Sequence, residues 1–172
     1  MDLRQYIRDI PDWPKPGVVF KDITPLLKDA ASLAWAVEQM VNPFREADID
    51  VVAGAESRGF IFGTALAQAL NAGFVPIRKP KKLPWRTHRI AYGLEYGTDE
   101  LHIHQDAIEP GQRVLLADDL LATGGTMKAC CDLVEKLGAN LVAVTVLIEL
   151  SFLPGREAIK PYDEKLHAVL TY

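Results

Sequence analysis

Uninterrupted apolar runs rich in β-branched residues recur along the chain and alternate with segments of helical period. The runs span residues 50–54, 73–77, 112–117 and 140–148, and the helical segments span residues 60–70 and 125–137. Continuous apolar runs are typical of strands that are buried on both faces of a parallel sheet. Strands alternating with helices indicate βαβ units. The pattern therefore predicts an α/β fold with a central, mostly parallel, twisted sheet flanked by helices.

Two segments depart from this alternation. In residues 1–30, Pro11, Pro14 and Pro16 break any helix after Ile10, and only a short apolar run follows at 18–20. We expect this segment to form a small N-terminal cap, or hood, on the sheet. Residues 79–95 contain prolines and basic residues without a sustained period, which predicts a long, mobile loop between strands. Loops of this length inside compact domains are usually functional.

Composition is consistent with an ordinary globular protein. The chain has 172 residues, of which 49% are hydrophobic and 24% charged, so we expect a single domain over 1–172 with a sizeable core. The longest apolar runs, such as 141–150, are far shorter than the roughly twenty residues that cross a bilayer. Residues 1–10 carry four charges and do not resemble a signal peptide. These observations predict a cytoplasmic protein without a membrane partner.

Charge and cysteine usage exclude further classes. The net charge of −4 argues against a general nucleic-acid surface, which would need clustered lysine and arginine. Cys130 and Cys131 are neighbours, which suits neither a disulfide framework nor a structural zinc site, so we interpret them as packing residues on a helix.

Two of the predicted strands, at residues 51–54 and 113–117, run directly into turns that carry acids and glycines. The first turn covers residues 55–59 and the second covers residues 118–126. In open α/β sheets, ligands bind beyond the carboxyl ends of the strands. We therefore expect the chemistry of the protein at these two turns.

The second turn has the features of a phosphate-binding loop, although an ordinary capped glycine turn is the alternative. Its adjacent glycines allow successive N–H groups and the start of the next helix to converge on an anion, and its threonines add hydroxyl donors. The paired carboxylates before them can accept hydrogen bonds from the 2- and 3-hydroxyls of a ribose. The predicted phosphate and ribose site comprises Asp118, Asp119, Ala122, Thr123, Gly124, Gly125 and Thr126.

With this loop the sequence resembles the type I phosphoribosyltransferases, and in particular their adenine-specific branch. Further matching motifs occur in the same order at residues 16–23, 57–60, 77–79 with 82–84, and 94–97, so the resemblance covers nearly the whole chain. It implies the type I phosphoribosyltransferase fold and the reaction of adenine with phosphoribosyl pyrophosphate (PRPP), which yields AMP and pyrophosphate in purine salvage. The alternatives are a phosphoribosyltransferase for another purine and a non-catalytic PRPP-binding regulator. The absence of an appended helix-turn-helix domain and the presence of Glu95 oppose the regulator.

The resemblance also assigns residues to pyrophosphate. The turn after the first strand, with Glu56, Ser57 and Arg58, is implied to receive the pyrophosphate, and the peptide bond between Glu56 and Ser57 is implied to be cis. The basic residues that are implied to reach the PRPP phosphates as the loop closes are Arg78, Lys79 and Lys82. A structural ion pair for Arg58 and a solvated basic face for the other three are the alternatives.

For the base, the resemblance points to the loop and the hood. Related enzymes for 6-oxopurines carry an acid where this chain has Ala122, whereas the adenine branch offers Glu95, whose carboxylate would assist proton movement near N7 of adenine. Tyr96 would lie beside it and help close the site. In the hood, Phe20 is implied to stack on the purine while the backbone of Val19 and Lys21 reads its edge. A solvated loop charge for Glu95 and a core position for Phe20 are the alternatives.

Two further expectations concern the cofactor and the assembly. The resemblance implies Mg²⁺ bound mainly through PRPP, with no metal-binding side chain predicted, and a homodimer. One departure from the family pattern is His102, which replaces a glutamate. Strand alternation places His102 and His104 on one face, which permits a two-histidine metal site, but no third ligand is evident and we interpret both as polar strand residues.

Overall fold

The computed structural model describes residues 1–93 and 98–172. Its internal packing divides the chain into two compact units, Met1–Gln39 and Met40–Tyr172. The expectation of a single domain over 1–172 stays a prediction, and each unit is described by itself.

The first unit is built around a small antiparallel hairpin. A 3-10 helix (Leu3–Tyr6) precedes β1 (Arg8–Pro11), which pairs with β2 (Val19–Asp22) so that Ile10 lies opposite Phe20. The prolines predicted to exclude a helix lie in β1 and in the connection between these strands. The short helix α1 (Thr24–Lys28) follows, and α2 (Ala30–Val41) begins in this unit.

The second unit contains a five-stranded parallel sheet in the order β4-β3-β7-β8-β9. Its strands are β3 (Val51–Ala55), β4 (Gly73–Ile77), β7 (Arg113–Leu121), β8 (Asn140–Glu149) and β9 (Leu166–Thr171). Helix α3 (Gly59–Leu70) packs on β3 and β7, and α4 (Gly125–Lys136) packs on β7 and β8. A separate antiparallel hairpin joins β5 (Thr87–Gly93) to β6 (Thr98–His104). Shorter elements are α5 (Gly155–Ala158) and 3-10 helices at Asn42–Phe44 and Lys160–Lys165.

The central sheet confirms the fold class predicted from the apolar runs. All five residues of β3 are buried, and the side chains of Val52, Leu115 and Val144 have no exposed surface. Strands covered on both faces have no polar side to alternate with, and this is why they stand out as continuous apolar runs. Among the described residues, no helix combines the length and the apolar character that a membrane span requires.

Two elements differ from the sequence interpretation. Residues 79–95 were expected to form a loop, but seven of them form β5. The residues of this strand are half-buried or exposed, and none is fully buried, so its hydrophobic pattern in the sequence is weak. The edge strand β9 was not predicted, for the same reason, since four of its six residues are only half-buried.

The strand expected to end at residue 117 is also longer than predicted. β7 continues to Leu121 because its pairing with β8 continues to Leu121 and Glu149. Asp118 and Asp119 therefore lie inside a strand rather than in the turn. This extension holds both carboxylates in the buried layer of the sheet.

Candidate active site

The two turns singled out by the sequence meet in one cavity. β3 and β7 are neighbouring parallel strands, with Gly54 opposite Ala117, so their carboxyl ends lie at the same edge of the sheet. The cavity there has a volume of about 230 Å³ and is lined by residues 56–58 and 118–127. The structure thus brings together the predicted pyrophosphate turn and the predicted phosphate loop. The peptide bond between Glu56 and Ser57 is cis, as the resemblance implied.

Gly124 shapes the phosphate loop. Its φ of +86° is in the left-handed region, and a Cβ built on it would lie 2.6 Å from both the carbonyl oxygen of Gly155 and the Cβ of Ala158. Only glycine fits this turn. Helix α4 begins at the next residue, Gly125, so the first N–H groups of the helix, which have no partner within it, are available to an anion in the cavity.

The paired acids are the buried charges of the cavity. Only 9% of Asp118 and 4% of Asp119 is exposed, and Asp118 Oδ1 accepts a 2.8 Å hydrogen bond from the backbone N–H of Asp119. Burial raises the pKa of Asp118 well above its ordinary value, and the charge of Asp119 adds to the increase. Burial also raises the pKa of Asp119, which the guanidinium of Arg58 partly offsets. Burial therefore makes the charged form of both carboxyl groups less favourable than it is in water.

Arg58 joins the two turns directly. Its Nη1 lies 3.0 Å from Asp119 Oδ2, while the residue also lines the cavity. The ion pair considered as an alternative for Arg58 is thus present. It does not remove the guanidinium from the cavity, because 39% of the Arg58 side chain is exposed.

The other basic residues predicted for pyrophosphate are held beside the cavity rather than in its wall. Arg78 forms a two-pronged pair with Glu56, with Nε–Oε2 at 3.2 Å and Nη2–Oε1 at 3.3 Å, and Glu56 Oε2 also accepts a 3.0 Å bond from the Lys79 N–H. Burial alone would raise the pKa of Glu56, but the Lys79 N–H and the Arg78 guanidinium outweigh it and lower that pKa. Lys82 contributes its backbone carbonyl oxygen, which accepts a 3.4 Å bond from Arg78. Glu56 therefore organises this basic cluster as well as lining the cavity.

Asp99 and Tyr92, which lie near the phosphate loop, were not predicted from the sequence. The ammonium of Lys79 donates to Asp99 Oδ2, and this hydrogen bond raises the pKa of Lys79. Tyr92 lies opposite Asp99 in the β5–β6 hairpin, and its hydroxyl contacts both Asp99 and Thr126. The pairing register of the hairpin places these two residues opposite each other, but the register can be assigned only after β5 is recognised as a strand.

The two histidines of β6 serve contacts within the hairpin and its surroundings. His102 Nδ1 lies 3.2 Å from Thr87 Oγ1, and His102 Nε2 lies 3.2 Å from Glu100 Oε1. His104 Nε2 lies 3.4 Å from the backbone N–H of Trp85. Within residues 1–93 and 98–172, no three histidine, cysteine, aspartate or glutamate side chains converge in a way that could hold a metal ion.

The predicted adenine-binding residues lie together on β2 in the first unit. The ring of Phe20 makes an edge contact with Trp13 at a centroid distance of 4.4 Å, and Lys21 Nζ lies 2.7 Å from Asp9 Oδ1. Val19 is exposed. Their role toward adenine stays a prediction.

Comparison with known proteins identifies the family. The family model of the phosphoribosyl transferase domain matches residues 20–165. The adenine phosphoribosyltransferase of Rhodopirellula baltica is 60% identical over 172 residues, which is 100% of this chain and 82% of that protein. This chain belongs to the adenine phosphoribosyltransferase family.

Solved structures of the family have the same fold. The adenine phosphoribosyltransferase of Thermoanaerobacter pseudethanolicus aligns with a TM-score of 0.94 at 48% identity, covering 99% of this chain and 98% of its own. That of Saccharomyces cerevisiae, crystallised with adenine and an imino-altritol bisphosphate, aligns with a TM-score of 0.87 at 38% identity, covering 98% and 94%. The type I phosphoribosyltransferase fold is therefore established for this member.

Two predicted residues fall outside the described part of the chain. Glu95 and Tyr96 belong to the motif at residues 94–97, which the structure does not describe. Their assigned roles in proton movement and in closing the site stay predictions.

Proposed function

We propose that this chain transfers the 5-phosphoribosyl group of PRPP to adenine, forming AMP and pyrophosphate in purine salvage. The single observation that carries the proposal is the cavity in which residues 56–58 meet residues 118–127. A substrate with a phosphorylated ribose and a pyrophosphate needs two anion sites with ribose acceptors between them, and this cavity offers that arrangement. The family membership and the adenine bound to the Saccharomyces cerevisiae relative support the choice of base.

The phosphate loop and the acids would hold the ribose 5-phosphate. The N–H groups at the start of α4 and the hydroxyl of Thr123 donate to the 5-phosphate, since N–H groups at a helix N-terminus favour negative charge. Asp118 and Asp119 accept hydrogen bonds from the ribose 2- and 3-hydroxyls. Because these carboxylates are buried, their hydrogen bonds to the ribose hydroxyls are stronger than the same bonds in water.

The leaving pyrophosphate would lie against the other turn. Arg58 offers two N–H donors to its oxygens, and the arrangement of Arg78, Lys79 and Lys82 beside Glu56 adds positive charge at the same edge. Positive charge placed at the leaving group stabilises the negative charge that develops there as the C1–O bond breaks. Closure of the site would exclude water from the cationic sugar.

Magnesium would enter together with PRPP. Mg²⁺ commonly keeps waters and substrate oxygens as ligands, so we expect it to be held mainly by PRPP, beside the carboxylates of Asp118 and Asp119 that line the cavity. When bound, the ion supplies charge neutralisation on the pyrophosphate.

The base would be read by the hood and handled by the loop. Phe20 stacks on adenine, and the backbone of Val19 and Lys21 contacts its edge. Glu95 assists movement of the proton on the imidazole side of the base as N9 attacks C1, and Tyr96 closes the site beside it.

The test is an assay of nucleotide formation with Mg²⁺ and PRPP, offering adenine, hypoxanthine, guanine and xanthine separately. We expect AMP from adenine and no nucleotide from the other bases. In Glu95→Ala, kcat falls by about 10²–10⁴-fold because the proton-transfer group is lost, while the affinity for PRPP measured by calorimetry changes less than about twofold.

The matched control is Glu109→Ala, which removes an exposed glutamate outside the cavity and leaves kcat unchanged. Nucleotide from a 6-oxopurine would contradict the assigned base. Tight PRPP binding without product from any base would instead support the PRPP-binding regulator.

We also propose that the chain acts as a homodimer in the cytoplasm. The strongly exposed Trp85 and Phe152 are large apolar side chains of the kind that subunit interfaces bury. Light scattering during gel filtration tests the dimer, and microscopy of a fluorescently tagged chain tests the location.

A further inference from the structure

A chain of hydrogen bonds runs beside the cavity from the phosphate loop to the basic cluster. Thr126 Oγ1 donates to the hydroxyl of Tyr92 at 3.3 Å, and this hydroxyl donates to Asp99 Oδ2 at 3.3 Å. The same carboxylate oxygen accepts from Lys79 Nζ, and the Lys79 N–H donates to Glu56. Both ends of the chain, Thr126 and Glu56, line the cavity.

The direction of these bonds follows from the chemistry of the groups. An ionised carboxylate only accepts hydrogen bonds, and the hydrogen bond from Lys79 is the main cause that keeps the pKa of Asp99 below its ordinary value. The tyrosine must therefore donate to Asp99. Its oxygen is then left to accept from Thr126, so the one hydroxyl orients both of its partners.

Packing adds a second contact between Tyr92 and the phosphate loop. A Cβ built on Gly125 would lie 3.2 Å from the Cδ2 of the Tyr92 ring. The ring thus lies directly against the first residue of α4, and the hydroxyl holds the second. A half-buried tyrosine that contacts two consecutive residues of a helix start restricts the position of that turn.

The hairpin register connects this support to the pyrophosphate side. Tyr92 and Asp99 are direct cross-strand partners in β5 and β6, so their side chains lie on the same face of the hairpin. The backbone N–H of Glu100 donates to Asp99 Oδ1 at 2.8 Å and fixes the carboxylate that holds Lys79. The Lys79 ammonium is thereby held on Asp99, while the backbone N–H of the same residue is held on Glu56.

We propose that Tyr92 is a positioning residue that links the two anion-binding ends of the PRPP site, because it fixes the start of α4 at Gly125 and Thr126 directly and Lys79 through Asp99. This inference rests on the proposed function for its substrate. Its test also includes binding measurements that require no turnover.

The first measurement is steady-state kinetics of Tyr92→Phe, which keeps the ring against Gly125 and removes only the hydroxyl. We expect the KM for PRPP to rise about five- to tenfold, the loss that corresponds to roughly one net hydrogen bond. The KM for adenine and kcat stay within about twofold. A purely structural role would lower the melting temperature and change both KM values together, and that result, or an unchanged KM for PRPP, would overturn the proposal.

The matched control is Tyr162→Phe. Tyr162 is a buried tyrosine whose hydroxyl bonds Glu135 near the opposite end of α4, outside the cavity lining. This variant loses a hydrogen-bonded tyrosine hydroxyl at a more buried position than Tyr92, and its KM for PRPP stays at the wild-type value.

The second measurement separates the two ends by calorimetry with ribose 5-phosphate and with inorganic pyrophosphate. In Tyr92→Phe both ligands bind at least about threefold more weakly. In an Asp99→Ala background, adding Tyr92→Phe still weakens ribose 5-phosphate but changes pyrophosphate affinity by less than about twofold, because the route to Lys79 is already broken.

The outcomes are distinct. Weaker ribose 5-phosphate binding alone would confine Tyr92 to the phosphate loop and overturn the link between the ends. If wild type binds both ligands but makes no AMP, the proposed function fails, while the binding comparison still decides the role of Tyr92.

Discussion

At the scale of single residues, the site keeps two carboxylates where the fold alone would favour apolar side chains. Asp118 and Asp119 lie in a buried strand beside each other, and burial raises the pKa of both. Arg58 compensates part of this cost through its ion pair with Asp119. Groups held at such a cost in stability are typical of sites selected for binding rather than for folding.

The first prediction concerns Asp118→Asn. If the pKa of an acid is raised in the folded state, the folded protein loses stability as the pH rises above the pKa that the acid has in the unfolded chain. The reason is that the unfolded chain releases the proton more easily. The neutral amide removes this cost and still accepts the bond from the Asp119 N–H. We therefore expect the ligand-free variant to be more stable than wild type at pH 7.5 by about 1 kcal/mol, or about 2–4 °C in melting temperature.

Thermal unfolding of both proteins between pH 4 and pH 8 checks this prediction. The advantage of the variant should shrink as the pH falls toward about 4, the ordinary pKa of aspartate, and its KM for PRPP should rise. The control Asp106→Asn changes an exposed acid outside the cavity and leaves the melting temperature unchanged. A less stable Asp118→Asn at pH 7.5 would show that the carboxylate supports the ligand-free fold.

At the scale of elements, the phosphate loop depends on how closely it packs against the segment after β8. Gly124 has no room for a side chain, since a Cβ there would approach Gly155 and Ala158 to 2.6 Å. The loop therefore has its shape set by a neighbouring element as well as by its own glycines.

Gly124→Ala tests this dependence. The variant combines a left-handed backbone with a direct clash, so we expect a loss of about 1–3 kcal/mol in stability and a rise of at least about tenfold in the KM for PRPP. Chemical denaturation and steady-state kinetics measure the two effects.

Gly111→Ala is a closely matched control. Gly111 has nearly the same φ, +85°, but nothing lies within 4 Å of a Cβ built there. It should lose only the backbone contribution of about 1 kcal/mol and keep the wild-type KM for PRPP. An equal effect of the two substitutions on the KM would mean that the contact with Gly155 and Ala158 does not shape the loop.

The elements also explain what the sequence could and could not predict. β3, β7 and β8 were predicted because strands in the middle of a parallel sheet are apolar throughout. The edge strand β4 was also predicted, with the bounds that the structure shows, because the residues of its short run at 73–77 are all apolar. The hairpin of β5 and β6 was not predicted as a pair, because β5 is only half-buried and its partner is identified by register rather than by composition.

In the candidate site, too, features that follow from a local sequence pattern were predicted, and features that depend on strand pairing were not. Both turns were found because glycines and acids that follow a continuous apolar run are a local pattern, and the sheet brings them together in one cavity. The pairs Arg78–Glu56 and Tyr92–Asp99 join residues 22 and seven positions apart. Such contacts depend on strand order and register, which no local pattern specifies.

At the scale of the whole molecule, the fold and the metal are expected to be separable. The core is a continuous apolar cluster around the parallel sheet, and in residues 1–93 and 98–172 no set of three potential ligands converges on a metal. A structural metal contributes to folding through such a cluster. Magnesium that arrives with PRPP would contribute to turnover without contributing to the fold.

The last prediction is therefore that chelation abolishes activity but not structure. With excess EDTA, AMP formation from adenine and PRPP should fall by at least about a hundredfold, since uncompensated charge on the leaving pyrophosphate raises the barrier. The melting temperature of the ligand-free protein should stay within about 1 °C, and added Mg²⁺ should restore the activity. A chelator-induced drop in melting temperature would place a structural metal in the protein, whereas full activity in EDTA would show that the basic residues around the cavity neutralise the pyrophosphate unaided.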